Sequence, residues 1–112
     1  MLEGFAKTPQ PPYYAVIFTS QRKAGDLGYE AMAKAMFELA LQQPGCLGAE
    51  SVRGPSGLGI TVAYFTDEAA IGAWKQNSRH LGAQQLGKER WYEHYELRVA
   101  KVERAYFGPE GR

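Results

Sequence analysis

The alternation of hydrophobic and polar residues along the chain predicts four β-strands. Residues 13–20 (YYAVIFTS) are rich in β-branched and aromatic side chains and apolar on both faces, which is typical of a strand covered on both sides. Residues 46–53 and 58–65 are two shorter runs joined by Gly-Pro-Ser-Gly, the composition of a hairpin loop. Residues 94–107 mix apolar and charged positions, which predicts a last strand with one polar face.

The segment between the first two strands is predicted to be an amphipathic helix. Asp26 can accept a hydrogen bond from a backbone N–H of the first turn, and the helix is expected to end near Gln43, before a Pro-Gly pair. Apolar residues recur at spacings of three and four and form one stripe that can pack on a sheet. This stripe consists of Tyr29, Met32, Met36 and Leu39.

The segment between the third and fourth strands predicts a second, interrupted helix. Thr66 or Asp67 can cap its beginning. The apolar pattern then continues toward Trp91, with a break expected near Asn77-Ser78. In the first half of this helix, Ile71 and Trp74 would lie on the apolar face.

The order strand, helix, strand, strand, helix, strand predicts an α+β, ferredoxin-like βαββαβ fold. In this fold a four-stranded antiparallel sheet carries both helices on one face. Strands that are apolar on both faces need a second cover, and a second copy of the chain is the simplest one. We therefore expect a homodimer. Residues 1–12, rich in proline, are predicted to be an extended arm able to pack on a neighbour, residues 13–107 the domain, and residues 108–112 a frayed tail.

Composition narrows the classes of function. The chain has 112 residues, enough for one domain, and its 13 basic and 12 acidic residues give a net charge of +1. This balance provides no field that would attract nucleic acid or an acidic membrane, and we expect neither as a partner. The single cysteine, Cys46, cannot form an internal disulfide, and no apolar run approaches the length of a membrane span. We expect a cytoplasmic protein.

Five segments together resemble the antibiotic-biosynthesis-monooxygenase-like proteins of the dimeric α/β barrel superfamily, in particular a small bacterial branch. The resemblance implies a homodimer whose two sheets face each other as a barrel, with a ligand pocket between sheet and helices in each subunit. Members include oxygenases of aromatic polyketides that use neither metal nor flavin, and haem-degrading enzymes. The segments are YYAVIFTSQR at 13–22, QPGCLGAESVR at 43–53, GLGITVAYF at 57–65, AIGAWKQNSRHLGAQQLGKERWY at 71–92 and YELRVAKVERAYF at 95–107.

The function that the resemblance implies is cofactor-independent monooxygenation of a small, flat, apolar or aromatic molecule. O₂ would react directly with an anion of the substrate, and we expect no metal and no cofactor. In that mechanism His80 would remove or hold a proton, while Trp74 and Tyr64 would orient the ring and exclude water. The other residues predicted to line the pocket are Met32, Met36 and Gln84.

Each candidate residue also has a structural interpretation. His80 can be a surface or helix-terminus histidine, and Trp74 can belong to the core with the two methionines of the first helix. The tyrosines suit a dimer interface as well as a cavity. Arginines and glutamates of the strands are expected to pair across neighbouring strands, which applies to Arg53, Arg98, Arg104, Glu50 and Glu103.

Two alternative functions remain open at the level of sequence. One is a non-catalytic or stress-related homodimer that sequesters a small ligand. The other is haem binding or degradation, since Trp74 and His80 lie in the region that carries a tryptophan and an iron-ligating histidine in the haem-degrading branch. That branch also has an asparagine on its first strand and a longer tryptophan-to-histidine spacing. Residues 13–20 contain no asparagine, and the spacing here is shorter.

Overall fold

The computed structural model describes residues 4–25, 28–77, 81–83, 85 and 87–109. Its strands form one antiparallel sheet in the order β2-β3-β1-β4, which confirms the predicted βαββαβ fold. The elements are β1 (Tyr13–Arg22), α1 (Tyr29–Leu41), β2 (Cys46–Arg53), β3 (Leu58–Phe65), α2 (Glu68–Gln76), a short π-helical turn (Gly87–Trp91) and β4 (Tyr92–Val102).

The predicted bounds hold best for the central hairpin, whose two strands match the prediction residue for residue. β1 extends two residues further than predicted, to Arg22, because its end is still paired with β4. β4 begins at Tyr92 and ends at Val102, earlier than the predicted Phe107, since β1 offers no pairing partner before Tyr13.

The second helix ends at Gln76, close to the predicted break. Its N-cap is Asp67, whose side chain accepts a hydrogen bond from the backbone N–H of Ala70 at 2.8 Å, as predicted. Asn77 has extended backbone angles, so the helix cannot continue through it. α1 begins after Gly28, which has a positive φ of 83°, and Asp26, predicted to cap it, lies outside the described residues.

Pairing and contacts assign the residues of each strand to two sides of the sheet. Val16 of β1 pairs with Ala63 of β3, and both pack against the buried residues of the helices. We call this the helix side. Because successive side chains of a strand point to opposite faces, Ala15 and its partner Tyr64 lie on the other, outer side.

The core lies between the sheet and the two helices. Phe65 is fully buried, and it clusters with Trp74 of α2 and Ala40 of α1. Gly45, with a φ of 83°, allows α2 to approach, since a Cβ there would lie 2.6 Å from the Cβ of Ala70. Partly buried apolar residues complete the cluster: Val16, Met36, Leu39, Cys46, Ala63, Ala70 and Ile71.

The described part of the N-terminal arm, residues 4–12, packs on the outer side of its own sheet. The backbone N–H of Ala6 donates to the Oε2 of Glu50 at 3.0 Å, and the Tyr13 hydroxyl donates to Oγ1 of Thr8 at 3.0 Å. Gly48 leaves room for this contact, since a Cβ there would lie 2.9 Å from the Cβ of Ala6. At this end of the outer side Tyr13 and Ala15 are buried. The chain itself therefore covers part of the face for which a second subunit was expected.

We predict that Phe65→Ala lowers the free energy of unfolding by about 3–5 kcal/mol, because it removes a fully buried ring and leaves a cavity in the core. Urea denaturation at fixed protein concentration measures the change. The matched control is Leu41→Ala at the end of α1, where the side chain is 44% exposed and the cost should stay below about 1 kcal/mol. Equal losses for the two variants would contradict this placement of the core.

Candidate functional site

The helix side of β4 carries an apolar surface that α1 and α2 leave open. α1 packs against β2 and α2 against β3, so the β4 edge of the sheet lies beyond both helices. Leu97 and Val99 are 52% and 51% exposed, and they pair with Phe18 and Val16 of the helix side. We call Phe18, Tyr95, Leu97 and Val99 the β4 apolar surface.

One end of this surface continues into packed aromatic rings. The ring of Phe18 lies 5.4 Å from that of Tyr92 and 5.5 Å from that of Tyr95, measured between centroids. Tyr29, the first residue of α1, meets Tyr92 edge-on at 5.8 Å and Trp91 at 5.7 Å. These distances are typical of favourable edge-to-face contacts. The rings therefore join α1 to β1 and to the beginning of β4.

Two arginines stack on the same tyrosine. The Cζ atom of Arg22 lies 3.9 Å from the Tyr29 ring centroid, and that of Arg53 lies 5.4 Å from it. Arg53 is also 5.9 Å from the ring centroid of Tyr92. A guanidinium within about 6 Å of a ring face is attracted by its quadrupole. Arg22, Tyr29, Arg53 and Tyr92 form what we call the arginine–tyrosine cluster.

Arg53 is anchored by hydrogen bonds to β1 and to the hairpin loop. Its Nη1 donates to the backbone oxygens of Ser20, at 3.1 Å, and of Gly57, and its Nη2 donates to the Ser20 hydroxyl at 2.7 Å. Ser20 is only 2% exposed, so this partner satisfies a hydroxyl that has little access to water. Gly59 makes room for the guanidinium, since a Cβ there would lie 2.8 Å from the Cζ of Arg53.

Arg22, the second arginine of the cluster, is anchored by hydrogen bonds to backbone oxygens. Its guanidinium donates to the backbone oxygens of Lys23 at 2.8 Å and of Gly25 at 3.1 Å. The Arg22 Nη1 also lies 3.5 Å from the backbone oxygen of Trp91. The side chain thus connects the end of β1, the loop that leads to α1, and the residue before β4.

Tyr92 stays protonated near neutral pH. Burial raises the pKa of its phenol above the ordinary value, and a hydrogen bond with Tyr29 raises it further. The charges of Arg53 and Arg22 oppose the increase, but their effect is smaller. Near neutral pH the phenol of Tyr92 therefore stays protonated and does not act as a base.

The sequence-predicted site residues are not all brought together. Trp74 is buried in the core, where Met36 packs against the same cluster, and Met32 is half-buried one helical turn earlier. Tyr64 lies on the outer side and donates to Oε1 of Glu50 at 2.7 Å. Since Trp74 packs on the helix side, Tyr64 cannot contact the same bound molecule within one subunit. The other two predicted residues, His80 and Gln84, lie outside the described residues.

The arginine–tyrosine cluster was missed at the level of sequence. Arg53 was expected to pair with a glutamate of a neighbouring strand, whereas it bonds to Ser20, 33 positions away in sequence. The alternation of side chains along β2 could have excluded Glu50 as a partner of Arg53. The two residues are three positions apart on this strand, so their side chains point to opposite sides of the sheet. Arg98, also expected to pair across strands, contacts Glu96 of its own strand.

Other features of the described residues do not converge on this site. No group of three or more histidine, cysteine or acidic residues among them is arranged to hold a metal ion. No helix in the described part of the chain is long and apolar enough to cross a membrane. A shallow depression lies between α1 and the edge strand β2, away from the β4 apolar surface. It is lined by Ala33, Lys34, Phe37, Glu38, Leu41 and Ser51.

Two solved structures share the fold of this chain. The structure superposes on that of an antibiotic biosynthesis monooxygenase with a TM-score of 0.70 at 14% identity, over 80% of this chain and 97% of the other. It also superposes on SnoaB of Streptomyces nogalater, a cofactor-independent oxygenase, with a TM-score of 0.72 at 12% identity, over 83% and 95% of the two chains. The chain thus has the antibiotic-biosynthesis-monooxygenase-like fold, which confirms the resemblance seen in sequence.

A curated relative places the chain in a family. The uncharacterised protein YqjZ of Bacillus subtilis (strain 168) is 49% identical over 104 residues, which cover 93% of this chain and 91% of that protein. No family model matches the sequence. The chain belongs to the YqjZ family.

We predict that stability falls at alkaline pH partly through Tyr92. Below a pH of about 10 the phenol is protonated in both the folded and the unfolded chain, and its contribution to stability is fully present. Above that pH the unfolded chain loses the proton first, because the pKa is raised only in the folded state, and the free energy of unfolding decreases. Urea denaturation as a function of pH measures the slope.

Tyr92→Phe should make this alkaline decrease shallower. Tyr95→Phe is the matched control, since it removes the hydroxyl of an exposed tyrosine of the same aromatic group. An unchanged slope in Tyr92→Phe would contradict the burial of its phenol.

Proposed function

We propose that the protein is monooxygenase-like and binds a small, flat, largely apolar molecule on the β4 apolar surface, beside the arginine–tyrosine cluster. The observation that carries this proposal is the exposure of Leu97 and Val99 on the helix side of the sheet. Exposed apolar side chains that continue into packed aromatic rings are a suitable support for a flat ring system. The fold shared with cofactor-independent oxygenases supports the same class of ligand.

The charges of the cluster suit the chemistry of an oxygenase that uses no cofactor. A CH₂ group of the ligand loses a proton to a base, and the resulting carbanion reduces O₂ to form a ligand hydroperoxide. Loss of water from the hydroperoxide breaks the O–O bond and the second C–H bond and leaves a carbonyl, so that both oxygen atoms are accounted for. The guanidinium groups of Arg22 and Arg53 favour the anionic form of a bound ligand. The proton acceptor in this proposal is His80, as predicted from the sequence.

A second candidate function is non-catalytic binding, and one observation favours it. The arginine–tyrosine cluster contains two arginines and two phenols, and the raised pKa of Tyr92 keeps that phenol protonated. The cluster contains no carboxylate and no imidazole. If His80 does not reach the ligand, the same surface binds a molecule without activating it.

We predict that Leu97→Asp lowers affinity for hydroxylated polycyclic aromatics by at least about tenfold, since it places a charge in the apolar contact. Fluorescence titration measures affinity, and an oxygen electrode measures O₂ consumption with the same compounds. Ile60→Asp is the matched control, because Ile60 is 43% exposed but lies on the outer side. It should bind the aromatic compound as the wild type does.

The oxygen measurement separates the two candidate functions. O₂ consumption that is lost in His80→Ala, with binding retained, supports monooxygenation. Binding without O₂ consumption supports the non-catalytic function. An undiminished rate in His80→Ala would contradict the role of His80, and full affinity in Leu97→Asp would contradict the β4 apolar surface as the binding site.

We infer further that the protein is a homodimer that buries part of the outer side. Val52, Leu58 and Ile60 are 72%, 53% and 43% exposed there, toward the end of the sheet that the N-terminal arm does not cover. A contiguous apolar patch of this kind is typical of an interface. The outer side of β4 is polar, because Glu96 bonds with both His94 and Arg98, so we place the interface over β2, β3 and β1.

We predict that Ile60→Asp shifts the protein from dimer to monomer, because it introduces a charge into the apolar patch of the outer side. Size-exclusion chromatography with light scattering at several protein concentrations measures the mass. The reciprocal control is Leu97→Asp, whose side chain lies on the helix side and should leave the dimer intact. Dissociation in Leu97→Asp and not in Ile60→Asp would place the interface on the opposite face.

A further inference from the structure

Arg53 does not use all of its hydrogen-bond donors within the protein. A guanidinium has five N–H donors in a planar fork. Three are taken by Ser20 and Gly57: both protons of Nη1 and one of Nη2. The remaining two are the Nε proton and the second Nη2 proton. Neither has an acceptor among the described residues.

These two donors form the side of the guanidinium that binds carboxylates in a bidentate manner. Nη1 donates to the backbone oxygen of Ser20, and Nη2 donates to its hydroxyl. The second Nη2 proton therefore points to the same side of the guanidinium as the Nε proton. The unbonded Nε is not fully buried, since the described residues contain no fully buried side-chain nitrogen or oxygen atom without a partner. The fork is therefore fixed in orientation, and two of its donors are not used within the described part of the chain.

The charge of Arg53 is also not neutralised by an ion pair. The ion pair in the described part of the chain joins Glu96 to Arg98, and Glu96 also forms a hydrogen bond with His94, all on the outer side. Glu50, the glutamate nearest to Arg53 in sequence, points to the outer side, where it binds Tyr64 and Ala6. A half-buried guanidinium that stacks on tyrosine rings keeps a full positive charge close to the proposed ligand surface.

We propose that Arg53 is a specificity-determining residue that binds a carboxylate group of the aromatic ligand through its Nε and Nη2 donors. This inference rests on the proposed function and names the class of ligand: a flat aromatic carboxylic acid in its ionised form. The ring system lies on the β4 apolar surface beside Tyr92, and the guanidinium of Arg53 approaches the same Tyr92 ring. The rings of Tyr92 and Phe18 are 5.4 Å apart, so the apolar and cationic parts of the site are continuous.

The bonds to Ser20 prepare Arg53 for this role. Arginine normally loses considerable side-chain entropy when it binds a ligand, because its long side chain must be ordered. Here the Ser20 and Gly57 acceptors hold the guanidinium in place before the ligand arrives, and Gly59 leaves the room that it occupies. Preorganised donors give a larger share of their interaction energy to binding.

The test compares two probes that differ only in charge, naphthoate and its neutral amide, naphthamide. Fluorescence titration of the wild-type protein should give at least about tenfold higher affinity for naphthoate, which corresponds to about 1.4 kcal/mol. Arg53→Gln removes the charge and should bring the two affinities to within about twofold. Arg98→Gln is the matched control on the outer side and should keep the wild-type ratio.

A structural role for Arg53 alone predicts a different result. If Arg53→Gln does not fold, Arg53→Lys keeps the charge without the fork, and its naphthoate preference should fall severalfold below that of the wild type. Equal wild-type affinities for the two probes would overturn the carboxylate assignment and leave aromatic binding in place. An undiminished preference in Arg53→Gln would overturn the role of Arg53. Failure of both probes to bind would overturn the proposed function and this inference together.

Discussion

The hydrogen bonds between Arg53 and Ser20 are the constraint on which the candidate site depends. Ser20 lies on β1 and is almost fully buried, so its hydroxyl needs a partner from within the protein. Arg53, at the end of β2, supplies that partner across the intervening strand β3. The same bonds hold the guanidinium beside Tyr29 and Tyr92. The contact between Arg53 and Ser20 thus links β2 to β1, orients the guanidinium charge and places it against Tyr29, the first residue of α1.

The two sides of the sheet are covered incompletely and in different ways. On the helix side α1 and α2 cover the β2 and β3 half and leave Leu97 and Val99 exposed. On the outer side the N-terminal arm covers one end of the sheet, and Val52 and Ile60 remain exposed toward the other. The two exposed surfaces face opposite directions, so a ligand on one and a second subunit on the other do not compete. The proposed binding and the proposed assembly are therefore separable by substitution.

The chemistry of the cluster limits what the protein does with a ligand. Two guanidinium groups stabilise negative charge, while the raised pKa of Tyr92 keeps its phenol protonated near neutral pH. In the proposed function such a site stabilises a bound anion and does not generate it. Activation of a neutral substrate would require a base from elsewhere, and His80 is the residue that we propose for it. The membership of the YqjZ family and the shared fold are compatible with either a catalytic or a non-catalytic member.

Local patterns in the sequence determined the element types, the order of the strands and helices, and the class of fold. The hairpin strands and the Asp67 cap were predictable because side-chain alternation, turn composition and capping act over a few residues. The placement of Tyr64 away from Trp74, the packing of the arm on Glu50, and the contact of Arg53 with Ser20 were decided only by the tertiary structure. These contacts join residues that are distant in the chain. Strand register, and the side of the sheet to which each side chain points, select the partners. No local pattern specifies either of them completely.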